Sequence, residues 1–203
     1  MVVMAVGCES PSPDFLAPPA CRQLIVVRST GTIPNVAVSA YDRHGDTWRL
    51  IMGPWPGTVG RNGIADLGKK KEGDGCTPPG VFPIRLAFGY EPTINTKLVY
   101  RQATDQDYWI DDPQSPNYNQ WTEGEKPICS HEVLRRQDDA YRLAAVIEYN
   151  TNPVLPGRGS AIFLHIWSGP GRPTAGCVAL SAEHIEQLLA WLDRNKNPMI
   201  KIR

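Results

Sequence analysis

The chain has no surplus of charge: 21 Lys and Arg balance 21 Asp and Glu. A protein that grips nucleic acid through its phosphates needs a cationic face, so nothing here points to that partner. No apolar run reaches the roughly 20 residues of a membrane-spanning helix. Helical periodicity is confined to one stretch near the C-terminus, which excludes a helix bundle. There are 5 cysteines in 203 residues, and none forms a C-x-x-C pair. Cys129-x-His131 is too sparse for zinc, so no metal is expected. The order G-x-x-x-x-G-K-[ST] is missing as well. The Gly- and Lys-rich residues 60–75 therefore do not make a phosphate loop, and the lysine run reads as solvated.

What the chain does have is turn chemistry, with 18 Gly and 19 Pro between short apolar runs. Such runs read as strands, and the length suits one domain. Residues 23–27, 35–41 and 47–52 are expected strands, the last two joined by a turn at 42–46. Residues 54–80 read as a long polar loop and 81–86 as another strand. From 88 to 121 the pattern is irregular, with aromatic rings filling core under a long loop. Asp111 and Asp112 are adjacent and read as turn caps, and His131 opens a short helix through 136. Residues 140–149 alternate, placing Tyr141, Leu143, Ala145, Ile147 and Tyr149 on one strand face. Ser181 caps a helix whose Ile185, Leu188, Leu189 and Leu192 share a stripe, with His184 off it and exposed. Residues 199–202 close the chain as a strand. Residues 1–21 read as a leader and Pro-rich tether, and 22–203 as the domain. The small residues before Cys8 resemble the end of a bacterial lipoprotein signal, so export and a lipid anchor at Cys8 are expected. Cys76 and Cys129 are either a disulfide or free thiols; the sequence leaves both open.

The chemistry concentrates in residues 161–181. Ala161-Ile162-Phe163-Leu164-His165-Ile166-Trp167 is an apolar strand with a histidine inside it. A Gly/Pro loop follows, then Thr174-Ala175-Gly176-Cys177-Val178. A thiolate is the reactive form of cysteine, and an imidazole can take its proton. His165 precedes Cys177 by 12 positions, enough for a strand, a turn and a return. Gly176 permits unusual dihedrals, so that neighbouring N–H groups converge on an oxyanion. Taken alone, both residues could equally be inert core.

This stretch resembles the signature of the L,D-transpeptidase (YkuD-type) catalytic domain family: a strand histidine, a variable loop, then Ser/Thr-His-Gly-Cys and an apolar residue. Thr77-Pro78-Pro79-Gly80-Val81-Phe82 resembles a second family signature, Thr-Pro-x-Gly-x-Phe, which introduces a strand beside the active site. The chain departs from the pattern at Ala175, usually histidine, and at Ala179, often Arg or Asn. The resemblance implies a mainly β fold of β-rich α+β type: a curved sheet or flattened barrel with one C-terminal helix packed beside it. It implies a cysteine-dependent transpeptidase acting on peptidoglycan stem peptides in the cell envelope, as a monomer without cofactor. In that reading Cys177 is the nucleophile and His165 the base. Gly176 lies at the oxyanion site, and the Thr174 carbonyl orients the histidine. Arg172, Ala175, Trp167 and Asn150 are the expected substrate contacts. A wall thiol carboxypeptidase or hydrolase, or a non-catalytic wall-binding module, are the alternatives.

Overall fold

The N-terminal strands follow from alternating β-branched and aliphatic residues. In β1 (Gln23–Ser29) five consecutive residues are buried, and in β2 (Asn35–His44) Val36, Val38 and Ala40 face the core while their neighbours do not. The chain turns at Gly45 and Asp46 into β3 (Thr47–Thr58). The computed structural model describes residues 17–203; Cys8, the expected anchor, and the tether up to residue 16 lie outside the described residues. After β3 come β4 (Gly80–Pro83), β5 (Leu86–Gly89), β6 (Val99–Gln102), β7 (Asp107–Ile110), β8 (Trp121–Glu123) and β9 (His131–Val133). The chain ends with β10 (Leu143–Val146), β11 (Phe163–Ile166), β12 (Val178–Leu180), helix α1 (Ala182–Trp191) and β13 (Met199–Ile202). The fold is mainly β with a C-terminal helix, as the sequence implied.

Ten strands form one sheet in the order β4-β13-β1-β2-β3-β12-β11-β10-β5-β6. Only Ile84 and Arg85 separate β4 from β5, yet eight strand spacings lie between them in the sheet. Laid flat, those spacings would measure about 38 Å, whereas the linking chain reaches about 10 Å. The sheet must therefore curl into a half-barrel. A bond from the Glu148 N–H to the Pro83 carbonyl, 3.0 Å, ties the approaching ends.

The period of two sorts the central strands onto two faces. Leu143, Ala145, Leu164, Ile166, Val178 and Leu180 face the main core, which Ile185, Leu188 and Leu189 of α1 complete. Ser181 caps that helix by accepting from the His184 N–H. Phe88, Ala144, Val146, Phe163 and Cys177 face the other way. A second sheet, β8-β7-β9, covers this side, and Trp109 of β7 meets Phe163 edge-on at 5.1 Å.

Several expectations are corrected. β3 runs on through Pro54 and Pro56, which had marked a loop. Those prolines are tolerated because β3 pairs with β12 only at Thr58, so upstream it is an edge that needs no donor. Strand 81–86 is two strands, β4 and β5, and 88–121 holds β6 and β7 rather than one long loop. Its rings do fill core: Tyr108, Trp109 and Tyr118 are buried. His131 opens strand β9, not a helix, because 131–133 pairs with β7. Tyr141 lies before β10 begins, so the alternation does not reach it, and it packs with Phe163 on the face opposite Leu143. His184 is not free in solvent; it stacks on Trp55 at 4.3 Å. Cys76 and Cys129 are free thiols.

Candidate active site

β11 and β12 are parallel, with Leu164 opposite Val178 and His165 opposite Ala179. Residues opposite one another share a face, and so do alternate residues along a strand. His165 therefore shares the face of Phe163, and Cys177, two before Ala179, lies on it too. Both are buried, His165 at 9% exposure and Cys177 at 6%. They line one cavity of about 250 Å³, with Arg136, Tyr141, Trp167 and Arg172 among its walls. A second cavity of about 180 Å³ also opens on Cys177 and is lined by Arg61, Lys70, Glu72, Asp111 and Gly176. Glu132, Ala175 and Cys177 border both.

The histidine is held by its own strand. Its Nδ1 lies 2.8 Å from the Ile166 carbonyl, and its ring meets Tyr141 edge-on at 5.3 Å. A carbonyl only accepts, so Nδ1 carries the proton and Nε2 keeps its lone pair. Burial disfavours the imidazolium and pulls the pKa down to about 4, against the smaller opposing effect of the Ile166 bond. The His165 imidazole is thus neutral at neutral pH. The Cys177 thiol donates to the Ala161 carbonyl at 3.3 Å and accepts from the Phe163 N–H at 3.3 Å. Burial pushes its pKa well up, and the Glu132 carboxylate adds to that; the Phe163 N–H, Lys70 and Arg136 work the other way. The resting pair is thiol and imidazole, not thiolate and imidazolium.

Two expected roles are reassigned. The Thr174 carbonyl does not orient His165; it accepts from the Arg61 N–H at 2.9 Å, and Ile166 supplies the orienting carbonyl. The Thr174 hydroxyl instead clamps the turn, donating to the Cys177 carbonyl at 2.7 Å and accepting from the Gly176 N–H at 3.1 Å. That bond also occupies the Gly176 donor expected at the oxyanion. Gly176 does not have a positive φ; it is needed for room, since a Cβ there would stand 3.0 Å from the Cys76 carbonyl oxygen. Thr77, from the second signature, donates to the same Cys177 carbonyl at 3.3 Å and accepts from Gly60. The strand that follows, β4, lies at the far edge of the sheet order from β11, so it is Thr77 itself that reaches the site.

Arg172, Ala175 and Trp167 line the His165 cavity, with Ala175 exposed at its rim. Asn150 is elsewhere. Its amide donates to the Leu155 and Gly159 carbonyls and accepts from the Leu155 N–H, bracing its own loop beside a different cavity of about 650 Å³.

The site also holds residues that the sequence reading assigned no role. Lys70, expected in solvent, is 5% exposed and pairs with Asp74 at 2.7 Å. Glu132 projects from β9, and Tyr141 donates to its carboxylate. Asp112 caps a turn through the Gln114 N–H, as expected, but the Asp111 Oδ1 is buried without a hydrogen-bond partner. Only a long-range contact map could have found these; no local spacing signals them. Among the described residues, no group of His, Cys, Asp and Glu is arranged to hold a metal ion.

The family model described as L,D-transpeptidase catalytic domain, YkuD, matches residues 24–200. Among solved structures, the helical cell shape determining protein Pgp2 from Campylobacter jejuni is similar with a TM-score of 0.47 and 16% identity, over 90% of this chain. The chain spans 47% of that protein's length. Curated proteins yield no match. The family match runs from β1 into β13, and on that match the chain belongs to the L,D-transpeptidase catalytic domain family.

Proposed function

We propose that this chain is a cysteine acyltransferase that remodels peptidoglycan stem peptides, acting outside the cytoplasm where that polymer lies. The observation that carries the reading is the shared cavity: within a family domain, a neutral imidazole and a thiol stand on one sheet face and open into one space.

The reaction starts from the neutral pair. The thiol proton turns from the Ala161 carbonyl to His165 Nε2, and the sulfur attacks the carbonyl carbon of the residue before a terminal D-residue. The Phe163 N–H, already on the sulfur, stabilises its negative charge. The imidazolium returns its proton to the departing amine, which leaves as the free D-amino acid. A thioester remains on Cys177, and an amine from another stem resolves it to an amide. Arg172 and Trp167 line the same cavity; in this reading the guanidinium attracts the terminal carboxylate and the indole gives an apolar wall. Ala175 leaves open space where the family usually has an imidazole, so His165 works without that second ring.

Two measurements test this reading. A carbapenem is expected to add once to the intact protein, and the adduct is expected to vanish in Cys177→Ala. Incubation with a disaccharide-tetrapeptide is expected to release the terminal D-residue. An adduct that survives Cys177→Ala, or no release by the unmodified protein, would sink the reading.

A further inference from the structure

We propose that Glu132 is the base that binds and deprotonates the incoming amine when the Cys177 thioester is resolved. The proposal rests on the acyl-transfer reading above and adds a residue and a direction of approach to it.

Three observations converge. First, Glu132 borders both cavities that meet at Cys177, on the side where Ala175 offers no group that can exchange a proton. Strand alternation aims it there: His131 and Val133 flank it on β9, and His131 turns the other way to meet the Tyr108 ring at 5.1 Å. Second, Glu132 is coupled to the catalytic base. Tyr141 donates its hydroxyl to Glu132 Oε2 while its ring packs on His165. Third, the cationic donors of the second cavity are engaged elsewhere: Arg61 donates to the Gly73 carbonyl at 3.4 Å. Lys70 is neutralised by Asp74, and Glu72 accepts from the hydroxyls of Tyr118 and Ser160. Asp111 Oδ1 is a buried acceptor with no hydrogen-bond partner in that same wall. A buried acceptor without a donor is costly, and an ammonium group is the ligand that satisfies it.

The charges facing Glu132 agree with a base. Burial raises its pKa, as do Asp111 and Glu72, while the Tyr141 bond and Arg136 lower it. Arg136 is itself held by a two-bond fork to Asp138, at 2.8 Å each. A carboxylate raised in this way takes a proton more readily than an exposed one.

The incoming ammonium enters the second cavity and gives one proton to Glu132, which becomes a neutral acid. The free amine nitrogen attacks the thioester carbon, and the new N–C bond forms as the C–S bond breaks. A second proton passes from that nitrogen through His165 to the departing sulfur, which restores the thiol. Glu132 then returns its proton to solvent. Water, which arrives uncharged, does not need this carboxylate in the same way, so Glu132 favours amine over water.

The test uses the full protein and a disaccharide-tetrapeptide that carries a free amine on its stem. Resolution by amine gives a cross-linked dimer and resolution by water gives a tripeptide. Their ratio is set after the acyl-enzyme has formed, so it does not depend on how fast a variant acylates. In Glu132→Gln, which keeps the shape, the dimer-to-tripeptide ratio is expected to fall at least tenfold. Glu132→Asp is expected to recover part of it. Tyr141→Phe keeps the ring on His165 but removes the bond that fixes where the carboxylate points, and is expected to give a smaller fall through lost positioning. An unchanged ratio in Glu132→Gln overturns the proposal. So does an unmodified protein that yields tripeptide alone. Should Glu132→Gln not fold, an unchanged ratio in Tyr141→Phe overturns it. Failure of the unmodified protein to form any Cys177 acyl-enzyme would instead refute the acyl-transfer reading beneath it.

Discussion

At Gly176 the missing side chain is the feature that matters. The residue is tolerated not for dihedral freedom but because the Cys76 backbone and Ile162 pass too close, 3.0 and 3.3 Å from where a Cβ would stand. The oxygen of Cys76 is main chain and cannot swing aside. Gly176→Ala is expected to destabilise the protein by about 1–3 kcal/mol, the usual cost of overpacking. It should also slow carbapenem addition by shifting Cys177. Urea unfolding and adduct formation over time check both; full stability with unaltered addition would show that the space is free. The candidate pair, His165 and Cys177, was legible at this scale because both sit in one local stretch with a recognisable order. Glu132 was not, because nothing within several residues of it announces that a β9 side chain will share a cavity with a cysteine beside the other sheet.

At the scale of elements, the small sheet matters because it carries Glu132. It is anchored by one buried carboxylate. Asp107 accepts from the Thr104 N–H at 2.8 Å and its hydroxyl at 2.6 Å, from Trp121 at 2.7 Å and from Arg101 at 2.9 Å. Burial pushes its pKa up, but these bonds outweigh that and hold it below the ordinary carboxylate value. Asp107→Asn puts an amide donor among donors and leaves Arg101 partly unpaired. The expected loss is about 1–3 kcal/mol, the cost of leaving buried polar groups unsatisfied, because Arg101 is 38% exposed and keeps Glu123 as a partner. Hydrogen exchange should then quicken in β7 and β8 and stay slow in β1 and β2. Uniform protection across both sheets would refute the anchoring role. The aromatic content of this region was visible in the sequence; its strands were not, because three- and four-residue strands carry too little periodicity to register.

For the molecule as a whole, burying His165 has a consequence for acid stability. Its folded pKa, about 4, lies below the ordinary 6.5. Between those values the unfolded chain takes up a proton that the folded chain refuses, so stability falls as pH drops through that window. Above it, the term is constant and the folded state keeps the full benefit. The loss amounts to about 3 kcal/mol once the pH has passed below both values. Unfolding midpoints measured from pH 7 to pH 4 should fall less steeply in His165→Gln than in the unmodified protein. Parallel curves would show that His165 titrates normally.

The sequence alone determined the mainly β class, the C-terminal helix with its Ser181 cap, and the strand and turn that hold His165 and Cys177. Each follows from neighbours a few residues apart: alternation, a capping hydroxyl, glycine and proline at turns. The tertiary structure decided the rest. It curled the sheet because two residues cannot bridge its flat width, and it put Tyr141 on the histidine's face by starting β10 after it. It buried Lys70 against Asp74 and brought Glu132, Asp111 and Glu72 to the walls of a cavity that Cys177 borders. Those groups come from separate elements, and only packing of one sheet on another makes them neighbours.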